Sequence, residues 1–378
     1  MSPRASSNLR YLKSLFRQYY STGCLEEPTY IHKREIGVQL IGEKSYRRHL
    51  SFPSMTMLYK FIVENPPLHL YYSSAYYDDP SANDMGAKGW RGSDLLFDID
   101  SDHYEGCNRA ITFCLKCGKS FEGSYKECPA CGSSNTVVYP IIGFDCIRKA
   151  YNDALKIKTI LKDDYGLTDI RAYFSGNRGF HVKCFDDSIL DLSGDERREL
   201  AMYISLNGLE PSIVFPPITR KKIVAFTMHE YGIRKRVFET LSNRGLIIRR
   251  GMYYEASYDD VLDSISYNKV DIDTVVTMDI SRLSRFGGSI NGKSGLVVLP
   301  VSDELPSSYQ DFSPWDGTIV VKPIIDFSGL PVLGSKINLK TGISIRVKTY
   351  IGIYLALKGL ARIENIDRVE IRKCMIHS

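Results

Sequence analysis

No stretch of this 378-residue sequence approaches the run of about 20 apolar residues that a membrane-crossing helix needs. The opening MSPRASSNLRYLKS likewise has no apolar segment of the signal-peptide kind. Both absences speak against membrane and secretory classes and make retention in the cytosol the expectation. Internal repeats and low-complexity tracts are also missing, so neither a repeat array nor a disordered linker is expected. Net charge is only +5, too little to mark a polyanion binder if spread evenly. Nine cysteines are present, but without the pattern of a disulfide framework. Four fall within residues 114–131, and Cys24, Cys107, Cys146, Cys184 and Cys374 are scattered and odd in number. A reducing compartment and one metal site fit that distribution better.

The charge is not evenly spread. Residues 220–250 carry Arg220, Lys221, Lys222, Arg234, Lys235, Arg236, Arg244, Arg249 and Arg250 against Glu230 and Glu239, an excess larger than that of the whole chain. The remainder is slightly acidic, and this segment is a candidate contact for a polyanion. On charge alone, a solvated surface with no partner explains it equally well.

The length suits one elaborated catalytic domain with insertions, or two or three smaller units. In LLFDID (95–100), strand alternation sends Leu95, Phe97 and Ile99 into a core and points Asp98 and Asp100 together on the other face. The apolar flanks imply a strand in the body of a sheet. A Gly-, Lys- and Cys-rich insertion follows (106–138), and then an amphipathic helix through Ile147, Tyr151, Ala154, Ile157 and Leu161 that should stop before Gly166. IRAYF (170–174) and FHVKCF (180–185) read as strands joined by the loop SGNRG, with His181 and Lys183 on one face. SGDE (193–196) has the form of a capping box and opens a helix. From there to about 255 the pattern reads as a mainly helical, basic lobe. TVVTMDI and SGLVVLP read as strands, and SIRVKTYIGIYLALKGLARI as a docked segment used in core packing. The resulting domain scheme is an α/β body (1–105, 139–189 and 256–378) carrying a cysteine insertion (106–138) and a basic lobe (190–255).

Cys114-x-x-Cys117 and Cys128-x-x-Cys131, each pair followed by Gly, are two knuckles able to turn four thiolates onto one tetrahedral Zn²⁺. Redox dithiols or an iron–sulfur centre are the alternatives. With every coordination position filled by protein, such a site is a structural staple, with a DNA-touching knob as a further use.

Placing two carboxylates on one face raises the cost of ionising each, and a divalent cation is the natural remedy. Mg²⁺ or Mn²⁺ is commonly held by one or two carboxylates plus substrate phosphates. A plain exposed face is the bland explanation. In SGNRGFH, Gly176 and Gly179 allow close backbone approach, while Ser175, Arg178 and His181 offer donors to phosphate oxygens. Taken alone this could be a hairpin turn with a structural histidine. Together, acids and donor loop describe phosphoryl or nucleotidyl transfer. A third acid is expected, and Asp271, Asp273 and Asp279 are all available. Arg282, Arg285 and Lys293 follow as cations for a triphosphate or a template.

The motifs DLLFDID, the cysteine knuckle, YFSGNRGFHV and MDISRLSR leading to GKSG come in an order that resembles the catalytic small subunit of archaeal and eukaryotic replicative DNA primase, the archaeal form more closely. RRHLSF (47–52), PLHLYYSSAYY (67–77) and TYIGIYL (349–355) extend the resemblance over nearly the whole chain. It implies a mixed-sheet, prim-type α/β body with a zinc knuckle and a helical subdomain. Asp98, Asp100 and Asp279 would then be the ligands of catalytic Mg²⁺ or Mn²⁺. Ser175, Arg178, His181, Arg282, Arg285 and Lys293 would bind the nucleotide. Arg220, Lys221, Lys222, Arg234, Lys235 and Arg236 remain the weaker nucleic-acid candidates. The implied partners are single-stranded DNA, NTPs with dNTPs as a variation, and a large subunit bearing an iron–sulfur cluster. The implied place is the archaeal cytoplasm near the nucleoid. A primase-fold polymerase of repair or of a mobile element, and a non-catalytic zinc-bearing nucleic-acid binder, are the rival readings. Asn177 stands where members commonly have a second arginine, Asn291 where they have a histidine, and FGGSIN is glycine-rich where many have a proline.

Overall fold

The computed structural model of the protein describes residues 3–218, 222–302, 304–372 and 374. Strand Leu95–Asp100 pairs with Gly179–Cys184, which pairs in turn with Ile170–Phe174 and then Leu299–Val301. Leu95, Phe97 and Ile99 are fully buried, as alternation requires, and Asp98 and Asp100 are half-buried opposite them. The carboxylate strand is therefore the outermost of its sheet and not an interior one. Its free edge is met by the segment after Asp271, where the Asp273 N–H donates to Asp98 O at 3.1 Å. A covered edge is protected from pairing with another chain.

Helix Phe144–Tyr165 lies on this sheet through Ile147, Tyr151, Ala154, Ile157 and Leu161, and ends at Gly166 in the left-handed region. A second sheet runs in the order Leu283–Arg285, Pro67–Ser73, Ile36–Leu40, Arg47–Leu50, and a third is formed by Ile345–Lys348, Trp315–Pro323 and Ala361–Ile371. Helix Thr349–Leu357 is buried from Thr349 through Ala356, so the apolar C-terminal run is core. One hydrophobic core joins these layers to the N-terminal helix, where Phe16 stacks on Trp315. Every strand pairing among the described residues is antiparallel, where a mixed sheet was expected.

Three local readings change. The basic lobe carries a sheet as well as helices and reaches past residue 255: helices Gly232–Asn243 and Tyr258–Asn268 pack on a small sheet of Ile223–Phe226, Tyr253–Ser257 and Ile248–Arg250. It has its own core of Phe215, Val224, Phe226, Val237, Leu241 and Val261, while Leu200, Ala201 and Ile204 of the capped helix Gly194–Ser205 belong to the body's core. Thr274–Met278 is a short helix and not a strand, because the Asp273 carboxylate caps the Val275 and Val276 N–H groups and overrides the β-branched run. The scattered cysteines are not all free: Cys107 pairs with Cys146 and Cys24 with Cys374, their Cα atoms 5.8 and 5.2 Å apart. The second pair joins residues 350 positions apart, which spacing alone cannot reveal.

Candidate active site and four-cysteine centre

Register brings the acids to the phosphate loop. His181 lies directly opposite Asp98, and Gly179 opposite Asp100. A Cβ at residue 179 would stand 2.1 Å from Ile99 O, so only glycine lets the two backbones approach there. Gly176 has φ +76°, and a side chain there would strike Asn291 and Leu296 O. Asn291 then ties the loop to the GKSG turn: its Nδ2 donates to Ser175 O at 2.8 Å and its Oδ1 accepts from Lys293 N at 3.0 Å. The residue that departs from the family pattern is thus a buried clamp between the SGNRG loop and the GKSG turn.

These elements enclose a cavity of about 240 Å³ lined by Asp98, Asp100, Ser175, Arg178, His181, Arg282, Arg285 and Lys293, together with Tyr71, Asn177 and Asn291. His181 Nε2 is 3.3 Å from Asp98 Oδ1. Burial works against the Asp98 charge, but His181, Arg282 and Arg285 outweigh it and hold its pKa below the usual carboxylate value. Asp100 is pushed the other way, by burial first and then by the Asp98 charge. Two neighbouring acids that oppose each other's ionisation in this way need a positive charge beside them. Arg178 partly fills that need, 2.8 Å from Asp102 and 3.6 Å from Asp100. Arg282 and Lys293 have no carboxylate within ion-pair reach among the described residues.

Sequence reasoning missed the support behind the cavity. His69 Nδ1 lies 3.1 Å from Arg285 Nη1 and accepts from Gly292 N at 3.3 Å. Burial, and then the Arg285 and Lys293 charges, push its pKa down to about 3, so it is a neutral acceptor. The Arg285 guanidinium also sits 4.8 Å from the Tyr71 ring centroid. Lys183, fully buried, donates to Arg285 O at 2.7 Å and Tyr72 Oη at 3.0 Å. Its place on the His181 face was legible; its partners, more than a hundred residues away, were not.

The third acid is not gathered in. Asp279 Oδ1 accepts from Ser281 N at 2.9 Å and Ser281 Oγ at 2.7 Å, and Asp279 is not among the cavity's lining residues. Asp273 is used as a helix cap, and Asp271 faces His103 at 3.6 Å. The donor set still suits a hard cation. Asp98 and Asp100 offer oxygens beside a phosphate-sized space, and Mg²⁺ is commonly held by two carboxylates completed by phosphate and water. Three buried polar atoms around them, His181 Nδ1, Asn177 Oδ1 and Asp102 Oδ1, have no hydrogen-bond partner among the described residues.

The four cysteines do gather. Their ligand atoms all lie within 4.8 Å of one another, with Cys114 Sγ 3.7 Å from Cys131 Sγ and Cys117 Sγ 3.6 Å from Cys128 Sγ. A tetrahedron with metal–sulfur bonds of about 2.3 Å has edges of roughly 3.8 Å, so the thiols fit Zn²⁺. The insertion that bears them is a sheet of Arg109–Cys114, Ser120–Glu122 and Thr136–Ile141, rooted in the body by Phe113 against Phe327 and by Tyr139 Oη donating to Pro331 O.

The centre of the basic segment is already satisfied. Arg234 binds Glu230 and the carbonyls of Val214 and Ala225, Arg236 pairs with Asp164, and Lys235 reaches Asp163 and Glu239. Lys222 is exposed, and Arg220 and Lys221 lie outside the described residues.

Residues 145–303 match the family model described as DNA primase small subunit, and residues 317–365 match a second one, described as a primase C-terminal domain. The chain is 49% identical to the DNA primase small subunit PriS of Staphylothermus marinus, over 98% of this chain and 100% of that protein. It is 38% identical to that of Saccharolobus islandicus over 96% of this chain and 97% of that protein. With that of Sulfolobus acidocaldarius it shares 35% identity over 93% and 94%.

Proposed function

Because the chain belongs to the DNA primase small-subunit family and is a primase catalytic subunit, we propose that the cavity beside Asp98 and Asp100 joins nucleotides on a single-stranded DNA template, making short RNA primers and, as a variation, DNA ones. The observation that carries this reading is the strand register. It sets two carboxylates against His181 and Gly179, in a cavity whose Arg282 and Lys293 have no acid partner among the described residues.

Asp98 and Asp100, joined by Asp279 on release of its Ser281 contacts, would hold Mg²⁺ or Mn²⁺. Bound there, the ions supply Lewis acidity that lowers the pKa of a primer 3′-hydroxyl and shares the charge of the α-phosphate. Arg178, Arg282, Arg285 and Lys293 neutralise the triphosphate and the departing pyrophosphate, with Arg285 aimed by neutral His69 and the Tyr71 ring. Ser175 and the Asn291 clamp hold the loop in its phosphate-facing form. His181 orients Asp98 through Nε2. Cys114, Cys117, Cys128 and Cys131 would hold Zn²⁺ as a staple of the insertion. A large subunit bearing an iron–sulfur cluster would assist initiation.

The test is incubation with single-stranded DNA, labelled NTPs or dNTPs and Mn²⁺, with and without the large subunit. Divalent-dependent oligonucleotides are the expected product. Template binding with no divalent-dependent incorporation under any of these conditions overturns the reading.

A further inference from the structure

Away from the cavity, a groove of about 510 Å³ runs between helix Phe144–Tyr165 of the body and the end of helix Tyr258–Asn268 of the basic lobe. Lys149, Lys156 and Lys269 line it, opposed by Asp153 and Asp271. Its charges divide into two kinds. Lys156 is fixed, 3.0 Å from Asp153, donating to Tyr267 O at 2.8 Å and 5.1 Å from the centroid of the Tyr267 ring. Lys149 and Lys269 are exposed, and neither makes an ion pair among the described residues. Tyr267 is itself 56% exposed, unusual for so large a ring, and Arg244 approaches it from the lobe with its guanidinium carbon 4.7 Å from the centroid. Free cations beside a cation-flanked aromatic form a surface for a phosphate backbone and its bases.

The groove adjoins the reaction site. Tyr104 in its wall is four residues beyond Asp100, at most about 14 Å of chain. Asp271 is two residues before Asp273, whose N–H bonds Asp98 O, which places this wall within about 10 Å of the carboxylate strand's backbone. Lys149 lies about 10 Å along the helix axis from Lys156, whose charge Asp153 already holds, so the groove is longer than a single phosphate spans. An isolated anion would not need such length, whereas a strand passing the cavity would use it. The segment richest in positive charge offers less, since Arg234, Lys235 and Arg236 already hold acids or carbonyls.

We propose that this groove carries the single-stranded DNA template past the active site, Lys149 and Lys269 meeting its phosphates and Tyr267 with Arg244 meeting a base. The proposal rests on the reading of the protein as acting on single-stranded DNA. Its test is fluorescence anisotropy of a labelled single-stranded oligonucleotide with the full chain, titrated across KCl, for wild type, K149E/K269E and K336E/K340E. The last places the same charge change on exposed lysines at the hairpin Phe327–Leu339. A K149Q/K269Q variant, with thermal unfolding checked, stands in if the reversed charges perturb folding. K149E/K269E is expected to bind at least about tenfold more weakly at low salt, and its log–log salt slope should flatten by about 1.4, the value for two lost phosphate contacts on a single strand. The hairpin variant should keep the wild-type slope. Equal affinity and slope in wild type and K149E/K269E overturn the groove and leave the primase reading standing, as does an equal loss in the hairpin variant, which marks a net-charge effect. A wild-type protein that binds no oligonucleotide overturns both.

Discussion

Arg282 and Arg236 are the same residue type in opposite employment. Arg282 lines the cavity with no carboxylate in ion-pair reach among the described residues, its charge felt by Asp98; Arg236, in the segment with the densest positive charge, is nearly buried against Asp164. What separates them is the supply of acids. The cavity's carboxylates, Asp98 and Asp100, already have His181 and Arg178, whereas Arg234, Lys235 and Arg236 of the lobe meet Glu230, Asp163 and Asp164. A charge count along a sequence therefore reports how much charge there is, not how much is free to meet a ligand.

The comparison breaks most sharply at the acids that keep the cavity's cations company. If Asp98 and Asp100 hold the catalytic cation as proposed, Asp98→Asn or Asp100→Asn should lower dinucleotide synthesis by about 10³-fold or more. Zinc content and thermal unfolding should stay as in wild type. Full synthesis by either variant would remove that residue from the metal site.

The lobe should answer in stability instead. Arg236→Ala leaves the Asp164 carboxylate nearly buried without its cation, and losing one partner of such a pair costs about 3 kcal/mol. Denaturant unfolding should show that loss, with template affinity unchanged within about twofold. Weaker template binding at unchanged stability would mean that Arg236 faces nucleic acid after all. The mirror experiment is Arg282→Ala or Lys293→Ala. Neither side chain holds an acid in the described structure, so stability should move by no more than about 0.5 kcal/mol, while kcat/KM for the nucleotide falls about 10²-fold.

How much of this was legible follows the same division between local and distant. Asp98 and Asp100 on one face, the helix ending at Gly166, the Ser193–Glu196 box and the four-cysteine knuckles each depend on residues within a few turns of one another, and alternation, capping and spacing disclosed them. The primase resemblance supplied the order of the motifs. Nothing local disclosed that His181 stands opposite Asp98, that His69 and Tyr71 hold Arg285, or that the carboxylate strand is an outermost one, because these depend on pairings between segments tens to hundreds of residues apart. The short helix at Thr274 misled for a different reason: one capping carboxylate outweighed the strand preference of two valines and two threonines.

Lys183 marks a third way to hold a cation, neither facing a ligand space nor locked to an acid, and it gives the smallest effect. Burial, outweighing the attraction of Glu26 and Asp94, pushes its pKa down to about 7, while an unfolded chain returns it to an ordinary lysine value. Between about pH 7 and 10 the unfolded state thus holds a proton that the folded state does not, and stability should rise with pH across that window. From pH 7.5 to 9 the gain should approach about 2 kcal/mol at most. Lys183→Met removes the titrating group, so its unfolding free energy should lack that rise even though the variant also loses the bonds to Tyr72 and Arg285 O. Parallel pH profiles for variant and wild type would mean that Lys183 stays charged in its buried site, and that the strand bearing Arg285 rests on an ion after all.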